Sequence, residues 1–405
     1  MQLQIGARGS ALSQKQAWEV LGELKKFHPE VDFIPFWIKT TGDADRTTSL
    51  RSLDKTNFFT KEIDEMQLAG HFRISIHSAK DLPEPLDPGL CVACLTKGQD
   101  PKDVLVLRKG HNTEGKTVVA TSSLRREEEV KKILPHAEIV DIRGTIEERL
   151  AAIEQKTVDG VVIAKAALIR LGITPEYEIE LSGPVALYQG QLAVVARRDD
   201  IEMKNLFSCL DVREKVLYLG LEAPQGIDKS YLHCPLIKIC PKTIPPVPEG
   251  VTHIIMTSKT AVRYFKPTPE YHYLSVGKAT TNELLSFGCD NVLTATVESQ
   301  EGIIELIKTL SHPNPIFFWP HSSRSRPLLH TFCKENNFHL IGCELYDTLF
   351  KKPAVEIDFE TLDAIYFSSP STVDAFFTFF DALPNKKIIT QGKITEDYLS
   401  LKTMY

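Results

Sequence analysis

The chain has 405 residues, 42% of them hydrophobic and 25% charged, with a net charge of −6. That length is too great for one ordinary core, so two or three globular domains are expected. The mild negative charge gives no reason to expect nucleic acid or an anionic membrane as partner, and no stretch approaches the ~20 apolar residues of a membrane span.

Apolar runs of strand length alternate with amphipathic segments of helix length. In the first half, strands are expected at 3–7, 33–39, 73–77, 90–95, 104–107, 117–120, 138–142, 160–164 and 192–196. Helices are expected at 11–27, 61–68, 123–134, 146–155 and 166–171. The alternation predicts an α/β protein with mostly parallel sheet. The opening MQLQIGARGS has no signal-peptide core, and eight cysteines stand without a framework spacing. Both fit reduced thiols in a cytoplasmic protein.

The first strand runs into Arg8-Gly9-Ser10 and then a helix. The strand at 73–77 runs into Lys80-Asp81, two charges at a strand end. The one CxxC, Cys91 and Cys94, lies in a strand, where i and i+3 face opposite ways; two core cysteines are expected and no metal site. Residues 110–117 match the phosphate-binding pattern G-x-x-x-x-G-K-[ST], but that motif needs a helix directly after it. Here a β-branched strand follows and Glu114 would face the phosphates, so a plain loop is expected.

Two further strand-to-helix junctions resemble the first. One carries Thr121-Ser122-Ser123-Leu124-Arg125-Arg126, the other Arg143-Gly144-Thr145. Ser10, Ser123 and Thr145 suit N-caps, and Thr145 with Glu148 makes a capping box. Arginines in a first helical turn oppose the macrodipole unless Glu127, Glu128 and Glu129 offset them. The functional alternative is an anionic ligand held by guanidinium forks and free backbone N–H groups. Three such loops together point to carboxylate or phosphate binding.

The character of the chain changes near 200–215. The proline-rich stretch 241–250 reads as a linker between lobes. Beyond it the chain repeats: "IIMTSKTAVRYF" is echoed by "IYFSSPSTVDAFF", and "YLSVGKATTNEL" by "KIITQGKITEDYL". Each copy reads as strand, hydroxyl-rich turn and helix, predicting two similar α/β lobes.

Eight stretches in order resemble porphobilinogen deaminase (hydroxymethylbilane synthase) over roughly residues 1–200. They are "IGARGSALSQKQAW", "FFTKEIDE", "ISIHSAKDLP", "DPKDVLVLRKG", "ATSSLRREEEV", "IRGTIEERLAAI", "VIAKAALIRLGI" and "YQGQLAVVARRDD". The resemblance implies two periplasmic-binding-protein-like lobes with a site in their cleft. It makes Asp81 the catalytic carboxylate, assisting loss of the amine of porphobilinogen. It makes Arg8, Ser10, Lys80, Ser123, Arg125, Arg126, Arg143 and Arg149 clamps for acetate and propionate groups, and puts Gln189 and Gly190 in a hinge-side turn. This chain departs from the family at Asp54-Lys55-Thr56-Asn57, which sets a lysine one place off, and at Tyr188, where a small residue is usual.

The family's third domain carries a cysteine bearing a covalent dipyrromethane cofactor. Here the likeness continues only through one helix, 202–210. Cys234 stands at about the right distance and is the candidate attachment point, but it lacks the family's preceding Gly-Gly and reads as part of an apolar strand.

Residues 215–405 resemble uroporphyrinogen-III synthase, through "KVLYLGL", "CPLIKICP", "IIMTSKTAV", "SVGKATTNEL", "FFWPHSSRSRPLL", "CELYDTLF", "IYFSSPSTV" and "QGKITEDYL". The resemblance implies two further α/β lobes joined by a two-stranded linker. It assigns Tyr346 to loss of hydroxide from hydroxymethylbilane, and Thr257, Ser258, Ser369, Ser371 and Thr395 to holding its carboxylates. The implied domains are 1–95 with 190–212, 96–189, 213–245 with 354–405, and 246–353. The implied function is bifunctional tetrapyrrole synthesis from small-molecule substrates. Two other readings are a synthase with a non-catalytic, bilane-binding first half, and a nucleotide-hydrolysing switch built on 110–117.

Overall fold

The computed structural model describes residues 1–45, 48, 51, 56–113, 115–222, 224, 226–354 and 356–403. Asp54, Lys55 and Glu114, singled out above, lie outside these. The chain forms two units, Met1–Lys215 with Gln225–Ser230, and Val216–Pro224 with Tyr231–Tyr405.

The first unit holds β1 (Gln2–Arg8), β2 (Asp32–Ile38), β3 (Ile74–Ser78), β4 (Leu90–Leu95), β5 (Asp103–Leu107), β6 (Val118–Ala120), β7 (Glu138–Val140), β8 (Gly160–Ala164), β9 (Glu178–Leu181) and β10 (Leu192–Arg197). Its helices are α1 (Ala11–Leu24), α2 (Thr41–Ala44), α3 (Lys61–Leu68), α4 (Leu124–Ile133), α5 (Ile146–Glu154), α6 (Lys165–Leu171) and α7 (Ile201–Phe207). Two five-stranded sheets result, ordered β2-β1-β3-β10-β4 and β7-β6-β8-β5-β9. The chain leaves the first sheet after β4, builds the second, and returns as β10.

Among the described residues most strand pairs are parallel, as expected, and that return is an exception. β10 runs antiparallel to both β3 and β4, and β5 antiparallel to both β8 and β9. A strand that re-enters a sheet from another need not keep the direction that a crossover helix imposes. β9 itself escaped the sequence reading; it is an edge strand of only four residues. Ile5, Leu3, Val20, Leu24, Ile74, Ile76 and Val194 pack one core of the first sheet.

Contrary to the expectation from their spacing, Cys91 and Cys94 do not face opposite ways. The β10–β4 register shifts between Val194 and Val195, leaving Ala93 as an extra residue. Such a bulge breaks strict alternation. Ala93 and Cys94 therefore share one core, while Leu90, Val92 and Leu95 fill the other face. Burial drives the Cys94 thiol far above its ordinary pKa, and among the described residues no metal-binding cluster occurs.

The second unit holds most of β11 (Glu214–Tyr218) and β12 (Lys229–His233), the first two residues of each falling in the first unit, and all of β13 (Ile237–Pro241), β14 (His253–Met256), β15 (His272–Ser275), β16 (Val292–Thr294), β17 (Ile316–Ser322), β18 (His339–Phe350), β19 (Ala364–Phe367) and β20 (Lys387–Thr390). Its helices are α8 (Lys259–Phe265), α9 (Lys278–Ser286), α10 (Gln300–Thr309), α11 (Leu328–Glu335), α12 (Pro370–Phe379) and α13 (Lys393–Thr403). The sheets are β12-β11-β19-β20 and β13-β18-β17-β14-β15-β16. The repeat is visible as β14-α8-β15-α9 against β19-α12-β20-α13, with each strand pair parallel.

Residues 241–250 join β13 to β14, two strands of one sheet. The passage between sheets is made instead by β13 and the end of β18, paired antiparallel from Ile237↔Phe350 to Pro241↔Tyr346. Ile237 packs in the core of the four-stranded sheet, and Ile239 against that of the six-stranded one. Proline marks a break in hydrogen bonding, and that break here is a loop. Among the described residues no helix is long and apolar enough to cross a membrane.

Candidate functional site

A cavity of about 570 Å³ opens in the first unit, lined from both of its sheets. Arg8, Ser10, Lys80, Asp81, Arg126, Arg143, Arg149 and Gln189 all line it; Ser123 and Arg125 do not. The volume is typical of a small-molecule site.

Local structure sets each group in place. Arg8 ends β1, and Ser10 caps α1 by accepting from the Ser13 amide at 3.2 Å. Lys80 and Asp81 sit in the single 3₁₀ turn that ends β3, which holds their backbone beside the sheet edge. The Ala79 amide donates to the Gln191 carbonyl, tying this turn to the β10 entry. Arg143 follows β7, and Gly144 follows it at φ +107°, where a side chain would strike the Glu148 carboxylate. Thr145 and Glu148 form the expected capping box. Arg149 lies one turn into α5, its Nε donating to the Gly144 carbonyl at 3.0 Å. Ser123 stands at the N-cap position of α4, but its side chain makes no cap hydrogen bond, contrary to expectation.

The charge balance differs from the sequence reading at α4. Glu127 pairs with Lys131 and Arg51, and Glu129 with Lys132. The carboxylate that offsets Arg125 and Arg126 is Asp103, at 2.8 and 2.7 Å. Asp103 is 1% exposed at the start of β5. Burial alone would raise its pKa, but the two guanidiniums outweigh burial and hold it below the ordinary carboxylate range. Gln189 completes the network: its Nε2 donates to Asp103 at 2.9 Å, and its Oε1 accepts from Lys80 Nζ at 3.1 Å. Asp43 likewise pairs with Arg8 while sharing a capping box with Thr40, and the Phe59 ring lies 4.5 Å from the Arg8 guanidinium.

Arg170 on α6 is a further lining residue. It donates to Glu19 of α1 at 2.7 Å and to the Gly190 carbonyl at 2.8 Å. Asp43, Asp103 and Arg170 were not singled out by sequence. "DPKDVLVLRKG" contains Asp103, but nothing local says that its partners lie on α4.

Lys80, Arg143 and Arg149 on the wall enter no ion pair among the described residues. Lys80 is paired only with an amide, and desolvation together with Arg126 pulls its ammonium down to about 8. Burial, Arg126 and Arg143 pull Arg149 down to about 10. Arg143 meets carbonyl oxygens, of Gly42 at 3.0 Å and Asp45 at 2.6 Å. Cations whose direct partners are neutral oxygens, set in a half-buried cavity, are suited to an anion.

Tyr188 sits at φ +60°, in the left-handed region. A Cβ is disfavoured in that conformation, which glycine adopts freely. Next to it, Gly190 at φ +88° comes so close to the Gln99 carbonyl that no side chain fits.

In the second unit, Ser258 caps α8, and its Oγ lies 3.3 Å from the Tyr346 hydroxyl. Tyr346 is 5% exposed, and burial pushes its phenol up. Thr257 accepts from the Trp319 indole at 3.3 Å. Ser369 caps α12 in a box with Thr372, and Ser371 lies in that helix's first turn. Thr395 is buried, its hydroxyl donating to the Gln391 carbonyl just before α13. Thus Thr257, Ser258 and Tyr346 gather at the end of β14, while Ser369, Ser371 and Thr395 belong to the four-stranded sheet. Cys234 is 4% exposed in the core among Leu217, Leu236 and Phe367, a position closed to a bulky adduct.

Comparison with known proteins gives two family matches. Residues 3–205 match "Porphobilinogen deaminase, dipyromethane cofactor binding domain", and residues 229–404 match "Uroporphyrinogen-III synthase HemD". The porphobilinogen deaminase of Syntrophomonas wolfei is 35% identical over 230 residues, 55% of this chain and 74% of that one. The probable porphobilinogen deaminase of Chlamydia pneumoniae is 37% identical, over 51% of this chain and 88% of its own. Among solved structures, the uroporphyrinogen-III synthetase of Helicobacter pylori 26695 aligns with a TM-score of 0.35 at 17% identity, covering 47% of this chain and 89% of that one.

Proposed function

Because the chain belongs to the porphobilinogen deaminase family and joins that domain to a uroporphyrinogen-III synthase domain, we propose that it condenses porphobilinogen to hydroxymethylbilane and closes that product to uroporphyrinogen III. The observation that carries the first activity is Asp81, set at a strand end in a cavity walled by Lys80, Arg126, Arg143 and Arg149. Asp81 assists departure of the amine and stabilises the cationic pyrrole that forms. The surrounding cations hold the acetate and propionate groups.

These residues fit a cofactor bearing several carboxylates, as dipyrromethane does; once bound, it supplies a pyrrole carbon as the nucleophile that starts the chain. Lys80, Arg143 and Arg149 hold carboxylates, and Gln189 fixes the Lys80 ammonium. We read 1–95 with 190–212 and 96–189 as two periplasmic-binding-protein-like lobes around this cleft. In the second unit Tyr346 assists hydroxide loss, and Thr257, Ser258, Ser369 and Ser371 present hydroxyls and helix N-termini to substrate carboxylates. We read 213–245 with 354–405 and 246–353 as its lobes, and the cytoplasm as the working compartment.

Incubating the chain with porphobilinogen and separating the oxidised products tests both halves. Uroporphyrin III is expected. Unconsumed porphobilinogen would refute the deaminase role, and isomer I alone would refute the synthase role.

A further inference from the structure

The cavity wall contains no thiol. None of Cys91, Cys94, Cys209, Cys234, Cys240, Cys289, Cys333 and Cys343 lines it. Of the three in the first unit, Cys94 is sealed in the core beneath α7. Cys91 faces the Arg197 carbonyl on β10, and Cys209 lies on the turn after α7. Cys234 is enclosed in the second unit's core.

The same wall offers an alternative hold. Arg8, Arg126 and Arg170 are each neutralised by a carboxylate: Asp43, Asp103 and Glu19. Lys80, Arg143 and Arg149 are not within ion-pair distance of one among the described residues, and the lining carboxylates Asp81 and Glu147 likewise enter no ion pair there. Lys80 meets an amide oxygen, and Arg143 and Arg149 meet backbone carbonyls, so the carboxylates of a ligand would be their direct anionic partners. Charge-assisted hydrogen bonds of this kind in a partly desolvated cavity are among the stronger non-covalent contacts.

We propose that the first unit holds its starter pyrrole as an exchangeable polycarboxylate, seated on Lys80, Arg143 and Arg149 by charge and hydrogen bonds, with no thioether to the polypeptide. This rests on the deaminase reading for what the pyrrole does there. Each elongation forms one carbon–carbon bond, from the free ring α-carbon of the starter to the aminomethyl carbon of the next porphobilinogen. The carbon–nitrogen bond of that aminomethyl group breaks, and ammonia leaves with the proton lost from the ring carbon. No protein sulfur takes part, so the starter is free to leave and be replaced.

The test uses the full chain purified at low salt from porphobilinogen-producing cells. Pyrrole is read by its colour with an aldehyde reagent, before and after gel filtration in about 1 M salt, where the Debye length falls to ~3 Å. Intact mass is read after denaturation. The expected result is pyrrole retained at low salt, lost by tenfold or more at high salt, and a denatured mass equal to that of the bare polypeptide. Lys80→Met and Arg149→Met should each lower retention about tenfold, and Cys209→Ser should leave it unchanged. A denatured mass increased by two pyrrole units overturns the proposal, and so does a preparation that retains no pyrrole at low salt. Porphobilinogen consumption is measured separately. Retention without consumption sinks the deaminase reading alone; consumption with a covalent adduct sinks this proposal alone.

Discussion

At the scale of single residues, the site depends on cations whose direct partners are neutral oxygens. Lys80 faces Arg125, Arg126, Asp81 and Asp103, and its ammonium is held at about 8, below the ~10.4 of a free lysine. The folded, ligand-free chain therefore binds fewer protons than the unfolded chain between those values, and stability rises with pH across that window. Below pH 8 the destabilisation is fully present. Lys80→Met should thus raise the urea midpoint at pH 7 while weakening carboxylate binding. In the unsubstituted protein, affinity for a bilane should fall as pH rises past about 8; a flat profile from pH 7 to 9.5 would contradict the role given to Lys80. Asp103 works the other way. Asp103→Asn leaves Arg125 and Arg126 partly buried without a counter-charge, a change that costs about 3–5 kcal/mol, readable in the same denaturation experiment. Asp81→Asn should lower porphobilinogen turnover by roughly 10²–10⁴ while leaving retained pyrrole in place.

At the scale of elements, the junctions were the most legible part of the chain. Strand, cap and arginine appear within a few residues of one another, so local pattern singles out Arg8, Lys80, Arg126 and Arg143, which line the cavity, and Ser123 and Arg125, which do not; Arg149 is implied by the family resemblance alone. What local pattern could not supply was the partner. Asp103 and Arg126 are 23 residues apart, and only the meeting of β5 with α4 brings them together. The same limit explains the misread α4 offset, the antiparallel β10, and the bulge that put Cys94 beside Ala93. Sheet direction and register are set by tertiary pairing. Capping is testable here. Thr145→Ala removes half of the box at the start of α5 and should lower stability by about 1 kcal/mol. Because α5 carries Arg149, it should also loosen bilane binding, as a calorimetric titration would show.

At the scale of the whole molecule, two activities in one chain make the intermediate local. Linear hydroxymethylbilane closes unaided to the wrong isomer, so a tethered second site raises the chance of correct closure without any new contact. Mixing an Asp81→Asn chain with a Tyr346→Phe chain separates the two sites onto different molecules. At equal total activity the mixture should yield a larger share of isomer I than the intact chain, increasingly so on dilution. Equal shares at every dilution would show that the fusion brings no kinetic advantage.

Arg170, with its side chain only 4% exposed, ties α1 to α6 through Glu19 and touches the Gly190 carbonyl. Buried pairs are screened far less than those open to solvent. Lys80, Arg143 and Arg149, by contrast, enter no ion pair with the protein among the described residues, so an anion they hold is one that exchanges with added salt. Added salt should therefore empty the cleft before it unfastens it. Occupancy and shape would then answer to different controls: ionic strength sets whether anything is held, while the walls keep the form needed to take up the next occupant.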